Sequence, residues 1–159
     1  MPAEVSIDLT DDVEALIVPH REAMLKAYQG LFTTPFPDDD TLRGEWRTVL
    51  ATRDARAYLA RLAGRPAGTV STFVDAGGNG WIQKLYVHPD AQHRGVGRAL
   101  HDRMLDDLRE RGCHEANLWV LAANSSAIRH YRRWGWQRLD SPPYAPHGLP
   151  EWRFVLPLG

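Results

Sequence analysis

Residues 92–98, Gln92-His93-Arg94-Gly95-Val96-Gly97-Arg98, combine small residues with cations in a pattern suited to phosphate. Glycines at 95 and 97 let main chain approach a ligand with no Cβ in the way, and Arg94 and Arg98 supply charge. The stretch joins two readable elements. Residues 81–87, bounded by Gly77-Gly78-Asn79-Gly80 and by Pro89-Asp90, predict a strand. From near Gly97 to Arg111 the spacing predicts a helix, with Val96, Ala99, Leu100, Met104, Leu105 and Leu108 on its apolar face. Arg103, Asp106, Asp107, Arg109 and Glu110 are assigned to the other face, and Gly112 is its C-cap. A helix entered through small residues leaves its first backbone N–H groups unpaired where the positive end of the macrodipole lies, so phosphate or pyrophosphate is the predicted ligand.

Two common phosphate loops are excluded by reading. No Gly-x-x-x-x-Gly-Lys-Ser/Thr run exists, and the position where the dinucleotide fingerprint has its third small residue holds Leu100. What remains is Gln-x-x-Gly-x-Gly after a strand. With Leu85-Tyr86-Val87-His88-Pro89 before it, the run resembles the acyl-CoA-binding motif of the GNAT superfamily of N-acetyltransferases, Gln/Arg-x-x-Gly-x-Gly/Ala. Further on, Asn124, Ala127, Tyr131, Gly135 and Trp136 resemble the second signature of that family. The two motifs stand in the right order and cover the middle third of the chain and beyond.

The resemblance implies acetyl-CoA as co-substrate. Main chain at Leu85, Tyr86 and Val87 would meet the pantetheine arm. Gln92, His93, Arg94, Gly95, Val96, Gly97 and Arg98 would surround the pyrophosphate, with the side chains of His88 and His93 as bystanders. Asn124 suits an N-cap, to which the resemblance adds a contact with the pantetheine arm. Tyr131 lies two helical turns after Asn124 on the same face, and the resemblance makes it the general acid that protonates the leaving thiolate. A phenol, with a reference pKa of about 10, keeps its proton at neutral pH. Tyr86 is its rival, and a packed core aromatic is the other reading of Tyr131.

The implied reaction is direct attack of a primary amine on the acyl thioester. A small-molecule acceptor is preferred, a protein or peptide N-terminus is the alternative, and a non-catalytic acyl-CoA sensor is the reading from another class. The position before Leu85, where many members of the family carry Glu, holds Lys84. Glu115, Asp75 and Glu22 are left as general-base candidates acting through water.

The chain has 159 residues, 43% hydrophobic, which suits a single domain spanning residues 1–159. A formal charge of −1 gives no field for nucleic acid or an acidic membrane. The lone Cys113 cannot form an internal disulfide and reads as structural, which fits a cytoplasmic setting. No signal peptide or membrane span is legible. Seven histidines without paired metal-ligand spacing predict no metal. A homodimer is left open.

The remaining elements follow in order. Residues 4–9 predict a strand, and Thr10-Asp11-Asp12 caps a helix running towards Gly30 that Pro19 is expected to interrupt. Residues 33–40 read as loop, with Asp40 or Thr41 capping a second helix to about Ala51. Residues 56–62, 68–74 and 81–87 predict an antiparallel meander whose first turn is Gly64-Arg65-Pro66-Ala67. Residues 116–121, a helix over 124–134, and strands over 136–139 and 152–156 close the chain. This is an α+β fold, a mixed and mostly antiparallel sheet of six to seven strands flanked by helices. The resemblance adds that two central parallel strands, 81–87 and 116–121, splay apart; Trp81 and Trp119 lie on them.

Overall fold

The computed structural model describes residues 4–27, 38–142, 144–146 and 148–159. Its elements are β1 (Val5–Leu9), α1 (Val13–Ala27), α2 (Asp39–Ala51), β2 (Arg56–Leu62), β3 (Arg65–Val74), β4 (Gly80–Val87), α3 (Val96–Glu110), β5 (Glu115–Leu121), α4 (Ser125–Arg133), β6 (Gln137–Arg138) and β7 (Glu151–Pro157). One seven-stranded sheet runs β1-β2-β3-β4-β5-β7-β6. Every neighbouring pair is antiparallel except β4 with β5. The mixed α+β sheet and its meander are as expected.

Side-chain alternation along the strands gives each sheet face its own core. Tyr58, Ala60, Val70, Ile82, Leu118 and Phe154 join Val96, Leu100, Met104 and Leu108 under α3. Ala57 and Leu59 join Leu16, Ile17, Leu42 and Trp46 beneath α1 and α2. Each of the three fully buried residues Leu100, Met104 and Leu108 contributes about 2 kcal/mol by leaving water. Gly112, at φ 81, ends α3 with the amide of Cys113 on the Leu108 carbonyl, so the predicted C-cap holds. Cys113 is buried, and burial pushes its thiol up, which disfavours the nucleophilic thiolate.

Four local readings change. Pro19 sits inside α1 without ending it; the lost ladder bond is offset by burial of Leu16, Ile17, His20 and Ala23 on both sides of it. Asp38, not Asp40 or Thr41, caps α2, its carboxylate accepting the Thr41 amide at 2.8 Å. The first meander turn tightens to Ala63-Gly64, both at positive φ, and β3 begins at Arg65. The strand expected over 136–139 shrinks to Gln137–Arg138. The expected helix end near Gly30 and most of the loop over 33–40 lie outside the described residues.

The largest departure is Asp107. Placed by periodicity on the solvent face of α3, it is fully buried. Its Oδ1 accepts from Tyr58 Oη at 2.6 Å and Arg56 Nη1 at 2.8 Å. Its Oδ2 accepts from Thr72 Oγ1 at 2.8 Å and Arg111 Nη1 at 3.2 Å. Arg111 continues to the Asp54 carbonyl, so one carboxylate ties α3 to β2, β3 and the turn before β2. Burial alone would raise its pKa, but these four donors override burial and hold it below the usual carboxylate range.

Because the folded pKa is depressed, this stabilisation is present above the unfolded carboxylate pKa and is lost as pH falls through the folded one. Asp107→Asn should cost about 3 kcal/mol in urea denaturation at neutral pH, since two arginines lose their counter-charge. The deficit relative to wild type should narrow on acidification.

Candidate active site

The site starts where β4 and β5 part. They pair in parallel at Gly80 with Ala116 and at Trp81 with Asn117, and nowhere further. Beyond that point β4 pairs with β3 and β5 with β7, which leaves two facing strand edges open. Close packing fixes the joined end: a Cβ on Gly80 would come within 2.9 Å of Leu108 Cδ1 and 3.1 Å of the Glu115 carbonyl. The buried Asn117 amide donates to the Gly80 carbonyl at 3.1 Å.

Along the open edge β4 carries an extra residue. Its register with β3 steps from Ser71–Gln83 to Thr69–Tyr86, and Lys84 takes φ 57. Such a bulge bends the strand and redirects its edge. Thr69 Oγ1 holds it by donating to the Lys84 carbonyl at 2.8 Å. Leu85 and Val87 pack towards the α3 core. Tyr86 turns the other way and stacks on His20 of α1 at 4.2 Å and 10°, so its ring lies on the sheet face opposite Tyr131.

β4 leads through a 3-10 turn, Pro89–Ala91, into the glycine turn. His88 Nδ1 accepts the Asp90 amide at 3.1 Å, which gives it a part in the turn. Gly95 sits at φ 82 as the N-cap of α3 with no side-chain cap, and no acid occupies the first helical turn. The leading amides of α3 and its positive dipole end therefore remain available to an anion. A Cβ on Gly97 would meet only Val87 Cγ2 at 3.4 Å and Trp134 Cη2 at 4.0 Å, ordinary contacts. Arg94 is exposed. Arg98 pairs with Asp102 at 3.1 Å and lies 5.6 Å over the Trp134 ring.

α4 frames the α3 side. Asn124 caps it, its Oδ1 accepting the Ala127 amide at 3.2 Å, as the sequence predicted. Tyr131 packs against the α3 core with Trp134 and Trp136 edge-on to its ring, 6.1 and 5.9 Å away. Leu85, Val87 and Tyr131 thus pack against the same α3 core, and Val87 and Trp134 both approach Gly97 in the 92–98 turn.

Two histidines that the sequence reading passed over hold this frame. Trp136 Nε1 donates to His101 Nε2 at 2.9 Å, so the His101 proton sits on Nδ1, 3.1 Å from Asp102. Trp46 Nε1 donates to His20 Nδ1 at 3.1 Å. Burial lowers both histidines, His20 to about 3 with help from the Lys84 charge. Both are neutral fixtures. A cue was present only in the abundance of tryptophan, whose indole N–H needs an acceptor when buried.

The base candidates are tied elsewhere. Asp75 anchors its turn through Trp81 Nε1, Gly77 and Asn79, which hold its carboxyl low. Glu22 pairs with Arg21 at 3.0 Å. Glu115 accepts from Asn117 at the joined end of the gap. Glu45 of α2, not singled out from sequence, reaches Lys84 at the bulge at 3.6 Å. Among the described residues no cluster of His, Cys, Asp and Glu could hold a metal, and no helix is long and apolar enough to cross a membrane.

A strand pair opened beside an uncapped helix start leaves unpaired backbone groups next to an end that favours an anion. The family model for the acetyltransferase (GNAT) family matches residues 21–136, more than half of the chain, and the chain belongs to that family. It is 34% identical over 138 residues to a mycothiol acetyltransferase of Clavibacter sepedonicus, covering 84% of this chain and 43% of that protein. It is 33% identical over 116 residues to the streptothricin acetyltransferase of Streptomyces lavendulae, covering 69% and 60% respectively. The chain spans less than two thirds of the length of the curated relatives it matches. In fold it is similar to the PaiA N-acetyltransferase from Thermoplasma acidophilum in complex with coenzyme A. That likeness has TM-score 0.76 and 19% identity, and covers 94% of this chain and 98% of that one.

His20 makes a testable demand on pH. Its folded pKa is depressed from 6.5 to about 3, so its stabilising share is present above pH 6.5 and is lost on acidification through that interval. His20→Gln keeps an acceptor for Trp46 and should flatten the fall in melting temperature between those limits. An unchanged profile would remove His20 from the account.

Proposed function

We propose that the protein transfers an acetyl group from acetyl-CoA directly to a primary amine. The observation that carries this reading is the two-pair ladder of β4 and β5, which opens an unpaired edge leading into the uncapped start of α3. Open strand edges have N–H and C=O groups needing partners, and the two amides of a pantetheine arm supply them. Main chain at Leu85, Tyr86 and Val87 would take that arm. The amides of residues 92–98 would take the pyrophosphate, with Arg94 and Arg98 adding charge.

From α4, Asn124 and Tyr131 would border the same opening, and Tyr131 would hand its proton to the departing CoA thiolate. The amine arrives from the other face and gives up its proton through water to Glu45, ion-paired at the bulge. In balance, the amine nitrogen bonds to the acetyl carbon and its proton passes to Glu45, the C–S bond breaks and the thiol leaves with the Tyr131 proton, and exchange with solvent returns a proton to Tyr131 and removes one from Glu45. Among acceptors, a small-molecule amine is preferred to a peptide N-terminus.

The test is acetyl-CoA-dependent thiol release across amino acids, polyamines, aryl amines and short peptides, with mass detection of product. Tyr131→Phe should lower kcat about 10²-fold while CoA affinity stays within about twofold. Turnover that ignores this change would remove Tyr131 as the acid. Binding of acetyl-CoA without product from any acceptor would favour a sensor.

A further inference from the structure

On the α1 and α2 face of the sheet Arg153 is held without a carboxylate partner among the described residues. Arg153 of β7 stands opposite Trp119 in the ladder with β5, yet its guanidinium crosses β5 to lie 5.0 Å over the ring of Trp81 on β4. Nε and Nη2 both donate to Asn117 Oδ1, at 3.1 and 2.6 Å. That acceptor is a neutral amide. Among the described residues no carboxylate pairs with Arg153, and its Nη1 makes no hydrogen bond. Of the other half-buried arginines, 21, 43, 103 and 111 meet carboxylates; among the described residues Arg61 also lacks one, but Arg153 alone rests on both an amide and a tryptophan ring. A half-buried cation resting on an amide and a ring keeps an unused donor for a planar anion.

Beside it runs an aromatic wall. Trp81 and Trp119 stack at 6.3 Å and 20°, and Trp119 meets Tyr144 at 5.0 Å. Trp119 is 36% and Tyr144 50% exposed, and two backbone hydrogen bonds between Tyr144 and Glu151 fix the latter ring to β7. Aromatic rings present a large apolar area at little entropic cost. The wall starts at the joined end of the β4–β5 gap, at Trp81, and continues beside the open part, since Trp119 follows the last β4–β5 pair and Tyr144 bridges to Glu151 opposite Leu121.

We propose that Arg153, Trp119 and Tyr144 form an acceptor subsite for amines that bear a carboxylate and a planar ring. Arg153 takes the carboxylate, the ring lies against Trp119 and Tyr144, and the amine is left facing the open edge of β4. The inference rests on the transfer reaction proposed above, and it makes Arg153 a specificity residue rather than a proton carrier.

The test separates binding from chemistry. Affinities are measured by calorimetry in the presence of CoA for L-phenylalanine and para-aminomethylbenzoate, which hold amine and carboxylate at short and long separations. Each acid is compared with its uncharged amide. At least one acid should bind wild type roughly tenfold more tightly than its amide. Arg153→Gln should abolish the difference, Arg153→Lys should retain part of it, and Trp119→Ala should weaken acid and amide alike. CoA affinity and melting temperature report folding; should Arg153→Gln fail to fold, the acid–amide comparison in wild type and Arg153→Lys decides. Equal binding of acid and amide, no binding of either, or a preference that survives Arg153→Gln would overturn the subsite. A preference for acids without acetylated product would leave the subsite standing and sink the proposed transfer instead.

Discussion

The molecule depends on a ladder that stops. β4 and β5 are joined at two residue pairs and then part, and the joint is built so tightly that a single methyl group would disturb it. Gly80 has Leu108 on one side and the Glu115 carbonyl on another. The Asn117 side chain adds a hydrogen bond to the Gly80 carbonyl within the joint, and Arg153 clamps Asn117 from β7. An opening in the middle of a sheet exposes groups that water or a ligand must satisfy. The fold tolerates it because each half keeps an antiparallel partner on its outer side.

That opening also sorts the chemistry by face. The α3 side carries the glycine turn, Asn124 and Tyr131; the α1 and α2 side carries Lys84, Glu45, Tyr86 and the aromatic wall. Donor and acceptor would thus meet from opposite directions, with the bulge at Lys84 setting where the edge of β4 points. Buried neutral histidines brace both sides. His101 ties α3 to Trp136, and His20 links α1 to Trp46 and Tyr86. Fixtures of this kind hold neighbouring side chains in place without adding charge.

Local signals made most of this legible. The Gly-bounded strand, the Gln92 to Gly97 run, the Asn124 cap and the terminating glycines 112 and 135 concern neighbours in sequence, where propensity and capping govern. Asp107 was misplaced because helical periodicity assigns a carboxylate outward, and nothing local reveals that Tyr58, Thr72, Arg56 and Arg111 converge on it. The helix through Pro19 follows from burial on both flanks, which outweighs one lost hydrogen bond. Lys84 offered no hint of positive φ, since a bulge is set by register across β3. Arg153 looked like any strand cation until its reach across β5 to Trp81 was visible. Most of what the sequence does not reveal rests on long-range contacts, whereas the Asp38 cap and the Ala63-Gly64 turn are local features displaced by a residue or two.

The most direct measurement is amide hydrogen exchange across β4, residue by residue, with and without CoA. If the pantetheine arm lies along the open edge as a further strand, protection should rise at amides of residues 82–87 that β3 leaves unpaired, and at the leading amides of α3, by roughly tenfold or more at saturation. Protection confined to the 92–98 turn, with β4 unchanged while CoA is bound, would contradict the account.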